Sequence, residues 1–233
     1  AAMSICGLAN NGYASQVDLA RFWIADTLMK PNGINGDHVY CLMELFTDEM
    51  MQRLTPGGIV GNRYWANGEG ATQGLLEDLG SNPNTYMPLY VFNIKHPPTA
   101  WVTIPPLVDA LNDETSNQVA KITTVIDVAQ WGRHFASLIF VDSHEAGMCA
   151  PAADRGGGDE LKFYHNPNTG LHEIFPWDLS EAFPVDAHHI WGWFRTIPKF
   201  LHTQPVVTHY CGSLVDIANN VLTDGGITRI LGA

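Results

Sequence analysis

Apolar and polar positions fall in short, often interrupted blocks along this chain. Residues 14–29 place apolar side chains at Val17, Ala20, Trp23, Ile24 and Leu28. That spacing predicts a helix, with Ser15 as a possible cap and Pro31 as its stop. Residues 39–54 change character midway. The first half suits a strand. Thr47 followed by Asp48 and Glu49 predicts a helix start, where carboxylates meet the positive end of the helix dipole. Thr55-Pro-Gly-Gly58 is a break, and residues 59–80 are Gly-rich and irregular.

The best-bounded strand is expected at residues 86–94. The polar turn Ser81–Thr85, with its Asn-Pro pair, leads there into an aromatic and β-branched run, a buried strand entered from an exposed loop. Pro97-Pro98 and Pro105-Pro106 bracket another short strand, AWVTI, followed by a helical turn at 107–111. Further strands are predicted over 119–128, which is β-branched and partly alternating, over 134–142 as a buried run, and over 205–211. Residues 161–175 read as a hairpin turning at Asn166-Pro-Asn-Thr-Gly170. Residues 146–160 read as a long loop, 186–202 as helix or loop, and 213–222 as helix or strand. No repeat, low-complexity tract or linker divides the chain. The expected fold class is therefore mainly β with some helix: an antiparallel, jelly-roll-like β-sandwich with helical and long loop insertions, one domain over residues 1–233.

Composition agrees with that expectation. Hydrophobic residues make up 45% and charged residues 15%, with 22 Gly and 14 Pro, which favours β structure joined by long loops. Twelve Lys and Arg stand against 24 Asp and Glu without any run of like charge. A general electrostatic grip on phosphates is thereby excluded, and an anionic membrane surface would repel the chain. No stretch reaches the 18 or so apolar residues of a membrane span, and Ala1–Ser4 does not open a signal peptide. Cys6, Cys41, Cys149 and Cys211 form no C-x-x-C pair; two disulfides or four buried thiols both remain open.

Three constellations carry candidate chemistry. Asp142-x-His144-Glu145 follows an apolar run, a place suited to metal ligands or an acid/base pair, although the H-E-x-x-H spacing is absent. His165 and His172, with Glu173, flank the hairpin turn, where cross-strand neighbours lie within about 5 Å. Asp142, His144, His165 and His172 are thus the candidate ligands of a divalent metal ion. Asp186-Ala-His188-His189 leads into Trp191, Trp193 and Phe194. Adjacent histidines on a strand diverge, so the value of that segment lies in its aromatic rings, for a subunit interface or for stacking on a sugar or base. No nucleophile elbow, phosphate-binding loop or thiol-hydrolase pattern is present, and the reading leans away from an enzyme.

The string Met87-Pro-Leu-Tyr-Val-Phe-Asn93 resembles a strand in capsid proteins of small circular single-stranded DNA viruses. Gln130-Trp-Gly-Arg-His-Phe135, Ser137-Leu-Ile-Phe-Val-Asp142, Ile190-Trp-Gly-Trp-Phe194 and Thr203-Gln-Pro-Val-Val207 extend the resemblance over residues 84–207. It implies a single jelly-roll, no cofactor, and a structural shell protein of the virion that self-assembles into a large homo-oligomer. Such proteins carry a basic N-terminal arm; this acidic chain would reach nucleic acid only through a segment it does not contain. Two alternatives rest on the residues themselves. One is a metal-assisted hydrolase using His144 and Glu145, the other a carbohydrate-binding module using Trp191 and Trp193, either secreted or cytoplasmic.

Overall fold

The computed structural model of the chain describes residues 17–20, 23–24, 27–28, 40–43, 45–66, 74, 76–93, 95, 97, 100–141, 161–177, 196–221 and 223. Two short antiparallel pairs come first, β1 (Val17–Ala20) with β4 (Tyr40–Met43) and β2 (Trp23–Ile24) with β3 (Thr27–Leu28). They replace the helix expected over 14–29. The backbone groups of Val17–Ala20 are met by partners remote in sequence, which a local helical period does not reveal. The strand expected before Thr47 is β4, and α1 (Asp48–Leu54) begins at the acidic pair Asp48 and Glu49.

The central element is a four-stranded antiparallel sheet, ordered β6-β5-β7-β8, made of β5 (Asn62–Ala66), β6 (Tyr90–Asn93), β7 (Lys162–His165) and β8 (His172–Phe175). Side chains alternate between its faces. Tyr64, Phe163 and Ile174 enter the main core, with Tyr64 stacked on Phe163 at 5.1 Å. That face is covered by helices: α2 (Ile104–Asn112), α3 (Gln118–Val125), α4 (Val128–Val141), α5 (Thr196–Leu201) and α6 (Val206–Asp216), the last running on as a π-helical turn over Ile217–Val221. On the opposite face, Tyr164 and Phe175 pack with Met50 and Met51 of α1 in a smaller core.

The jelly-roll sandwich is overturned: among the described residues the sheet is backed by helices, and no second sheet packs against it. Each misread segment has a physical reason. AWVTI is a 3₁₀ turn (Trp101–Thr103) entering α2, because Pro105 and Pro106 sit in the first helical turn, where a missing N–H breaks no hydrogen bond. Residues 119–128 are largely α3 despite their β-branched side chains. Thr123 Oγ1 donates back to Ala120 O at 3.0 Å and Thr124 Oγ1 to Lys121 O at 2.7 Å, while Ile122 is buried. The run 134–142 is mostly α4, whose Trp131, Phe135 and Leu138 form one helical stripe in the core. Residues 205–211 belong mainly to α6. The strand expected over 86–94 shortens to Tyr90–Asn93, preceded by a 3₁₀ turn at Pro83–Tyr86 in which Asn82 Oδ1 accepts the Asn84 N–H at 3.1 Å.

The hairpin forms where expected, with His165 opposite His172, and Gly170 at φ 75° closes its turn by donating to Asn166 O at 2.8 Å. Helices α4 and α6 cross closely at Gly132, where an added Cβ would stand 2.9 Å from Tyr210 N. Among the described residues no helix is long and apolar enough to cross a membrane.

Candidate functional site

The hairpin brings His165 and His172 together, their ring centroids 4.9 Å apart. His172 is buried, and that burial, reinforced by the charge of His165, pushes it down to about 3, so its imidazole is neutral. Its Nδ1 lies 3.0 Å from Val125 O. A carbonyl only accepts, so Nδ1 carries the proton, and the bare Nε2 faces the Thr103 hydroxyl at 3.3 Å. Both ring nitrogens are thereby engaged, which removes His172 from the expected ligand set. Among the described residues no group of three His, Cys, Asp or Glu side chains could hold a metal ion. Asp142, His144 and Glu145, the segment Asp186–His189, and Trp191, Trp193 and Phe194 lie outside the described residues, so of the predicted site residues only the hairpin pair and Glu173 are placed.

Glu173 follows His172 directly, but strand alternation sends it to the opposite face. There Arg63, Tyr164 and Glu173 are successive cross-strand neighbours beneath α1. Asn166 Nδ2 donates to Glu173 Oε1 at 2.8 Å, whereas the buried Oε2 has no partner. Burial raises the Glu173 carboxyl, Asn166 opposes that rise, and the charge of Asp127 adds to it. The Tyr164 hydroxyl accepts the Gly61 N–H at 2.8 Å. Arg63 lies with Nη2 2.8 Å from Asp48 Oδ1, and Lys95 pairs with the other oxygen of Asp48.

A cleft of about 490 Å³ opens between residues 78–83 and the start of α2, lined by Asp78, Gly80, Ser81, Pro83, Val102, Pro105, Pro106 and Asp109. Its rim is built on Tyr86, a fully buried ring. The Tyr86 hydroxyl accepts the Leu79 N–H at 2.8 Å and donates to Gly80 O at 2.9 Å. Asn112 of α2 holds the same loop from below by donating to Leu76 O at 2.8 Å. Leu76 has φ 55°, a left-handed conformation stabilised from both sides, since its N–H also donates to the Tyr90 hydroxyl at 3.2 Å. The loop is thus preformed. Burial raises Tyr86, the Leu79 N–H opposes that rise, and the carboxylates of Asp78 and Asp109 add to it, so negative potential at the cleft reaches the ring beneath it.

Asp109 is partly neutralised by Lys121, whose ammonium lies 2.8 Å from it and 2.7 Å from Asp113. The Lys121 and Thr115 hydrogen bonds hold Asp113 down to about 2.

Neither Asp78 nor Asp109 stands out in the sequence: Asp78 follows Glu77 in an otherwise apolar stretch, Asp109 sits alone among apolar neighbours, and the two are joined only by the packing of residues 78–83 against α2. The nearest available signal was Pro105-Pro106, which marks a helix start as well as a strand stop. No protein-family model matches the chain, and no curated protein is significantly similar to it.

Proposed function

We propose that this protein is a binding protein for a small organic amine, taken up in the cleft between residues 78–83 and α2. One observation carries the reading: a preformed concavity of about 490 Å³ combines proline and valine walls with the carboxylates of Asp78 and Asp109. Sites for small ligands commonly fall in a range of roughly 300–1,000 Å³, apolar with a few polar groups that fix orientation. The two carboxylates suit the ammonium end of a ligand, and Val102, Pro83 and Pro106 suit a short alkyl chain. Because both carboxylates are exposed, binding is expected to weaken with salt.

The shell-protein expectation was tied to a jelly-roll, and the helix-backed sheet takes that support away. The metal-assisted alternative keeps only His165 of its described histidines.

Calorimetric titration with n-butylamine against n-butanol tests the proposal. The amine should give a saturable heat that is lost in Asp109→Asn and reduced at 0.5 M salt, roughly three times the physiological ionic strength, while the alcohol should give none. Equal heats from amine and alcohol, or an unchanged isotherm in Asp109→Asn, would overturn it.

A further inference from the structure

We propose that Arg63, assisted by Lys95, holds a small planar oxyanion of the carboxylate class beneath the first turn of α1, a site separate from the cleft. The Arg63 residue is only 3% exposed, yet its Nε and Nη1 have no hydrogen-bond partner. A buried donor left unmatched is destabilising, more so on a charged group, and guanidinium donors in one plane fit the oxygens of a planar anion.

The protein groups around Arg63 do not meet that demand. Asp48 Oδ1 stands 2.8 Å from Nη2, but it too lacks a properly aligned hydrogen bond, so the contact is an ion pair that leaves the donor plane unused. The second Asp48 oxygen is taken by Lys95. Phe46 lies against the guanidinium, 5.9 Å from ring centroid to Cζ, and offers no acceptor. The Tyr164 hydroxyl is occupied by Gly61 N–H and by donation to Ile59 O at 3.4 Å. Glu173 is two strand spacings away, roughly 10 Å, on the far side of Tyr164. Glu49 is exposed and turned towards Thr47, so its charge reaches Arg63 through water.

The Lys95 side of the site faces solvent, where the Lys95 and Asp48 side chains are 37% and 36% exposed. The Lys95 ammonium, which shares the Asp48 carboxylate with Arg63, draws an anion to that side.

Thermal denaturation in 0–20 mM sodium formate, with sodium chloride making up constant ionic strength, reads this site directly; that range, set well below a 0.1 M background, keeps screening fixed at a Debye length of about 10 Å. A ligand at ten times its half-saturating concentration should raise the midpoint by about 3 °C, along a curve that saturates. Lys95→Gln should move half-saturation to several-fold higher formate, and Arg63→Lys, which keeps the charge but loses the planar donors, should abolish the rise. If Arg63→Lys does not fold, the wild-type curve and Lys95→Gln decide alone. A midpoint identical in formate and chloride, or a formate effect of the same size and half-saturation in Lys95→Gln, would overturn the proposal and assign the donors to water.

Discussion

The carboxamide of Gln130 on α4 completes the outer edge of β8 as another strand would. Its Oε1 accepts the Ile174 N–H at 3.0 Å, and its Nε2 donates to Ile174 O at 2.5 Å. At the next residue of α4, Trp131 Nε1 donates to His172 O at 2.8 Å. A free strand edge is a template for wrong pairing, and here two successive helix side chains occupy it.

Replacing Gln130 by Ala would leave both backbone groups of Ile174 buried without partners. Each such group costs about 1–3 kcal/mol, so a loss of about 2–6 kcal/mol is expected. Urea denaturation measures it; a loss below 1 kcal/mol would mean that water reaches the edge of β8.

The crossing of α4 and α6 depends on the missing side chain at Gly132, because an added Cβ would press on the backbone nitrogen of Tyr210, which cannot swing away. Gly132→Ala is expected to destabilise by about 1–3 kcal/mol, although alanine is the better helix former. A stabilised Gly132→Ala, read from its denaturation midpoint, would show that the helices part easily.

Tyr86→Phe removes the hydroxyl that ties Leu79 to Gly80 while keeping the buried ring. About 1–2 kcal/mol of local stability should go, seen as faster hydrogen exchange at the Leu79 amide, with weaker n-butylamine binding. Unchanged exchange at Leu79 would mean that the rim of the cleft does not depend on this hydroxyl.

Acid should destabilise the protein well above the carboxylate range. Burial pushes His134 and His172 down to about 3, whereas both titrate near 6.5 when unfolded. The unfolded chain therefore binds protons that the folded one refuses. This contribution is complete above pH 6.5 and is lost as pH falls towards 3, at about 1.4 kcal/mol per pH unit for each histidine. Glu173 acts oppositely: its raised pKa adds stability below the ordinary carboxylate range and withdraws it as pH rises through the folded value. Urea midpoints at pH 7, 6 and 5 should fall steadily, and His134→Leu should halve the slope. A flat profile would contradict neutral buried imidazoles.

The hairpin at 161–175 and the start of α1 were legible because their signals are local. Gly170 supplies the left-handed turn residue, and Asp48 and Glu49 lie in the first turn of their own helix. The segments misread as strands were β-branched or apolar runs whose outcome depends on a distant partner. Residues 119–125 and 134–141 became helical because Ile122, Trp131 and Phe135 join the core on the sheet's inner face. The pairing of His165 with His172 followed from the turn alone, but the chemistry of His172 did not: its tautomer is set by Val125 O, 47 residues away in the chain.

What the sequence determined by itself was the acidic balance, the hairpin with its paired histidines, and the punctuation by proline and glycine that separates the elements. Each is a property of one residue or of a few neighbours. The tertiary structure alone decided that helices rather than a second sheet cover the core, that Asp78 and Asp109 share one cleft, and that Arg63 is buried with donors to spare. Those outcomes depend on which surfaces meet: burial selects helix over strand and leaves the Arg63 donors unmatched, while packing brings two exposed aspartates to one cleft.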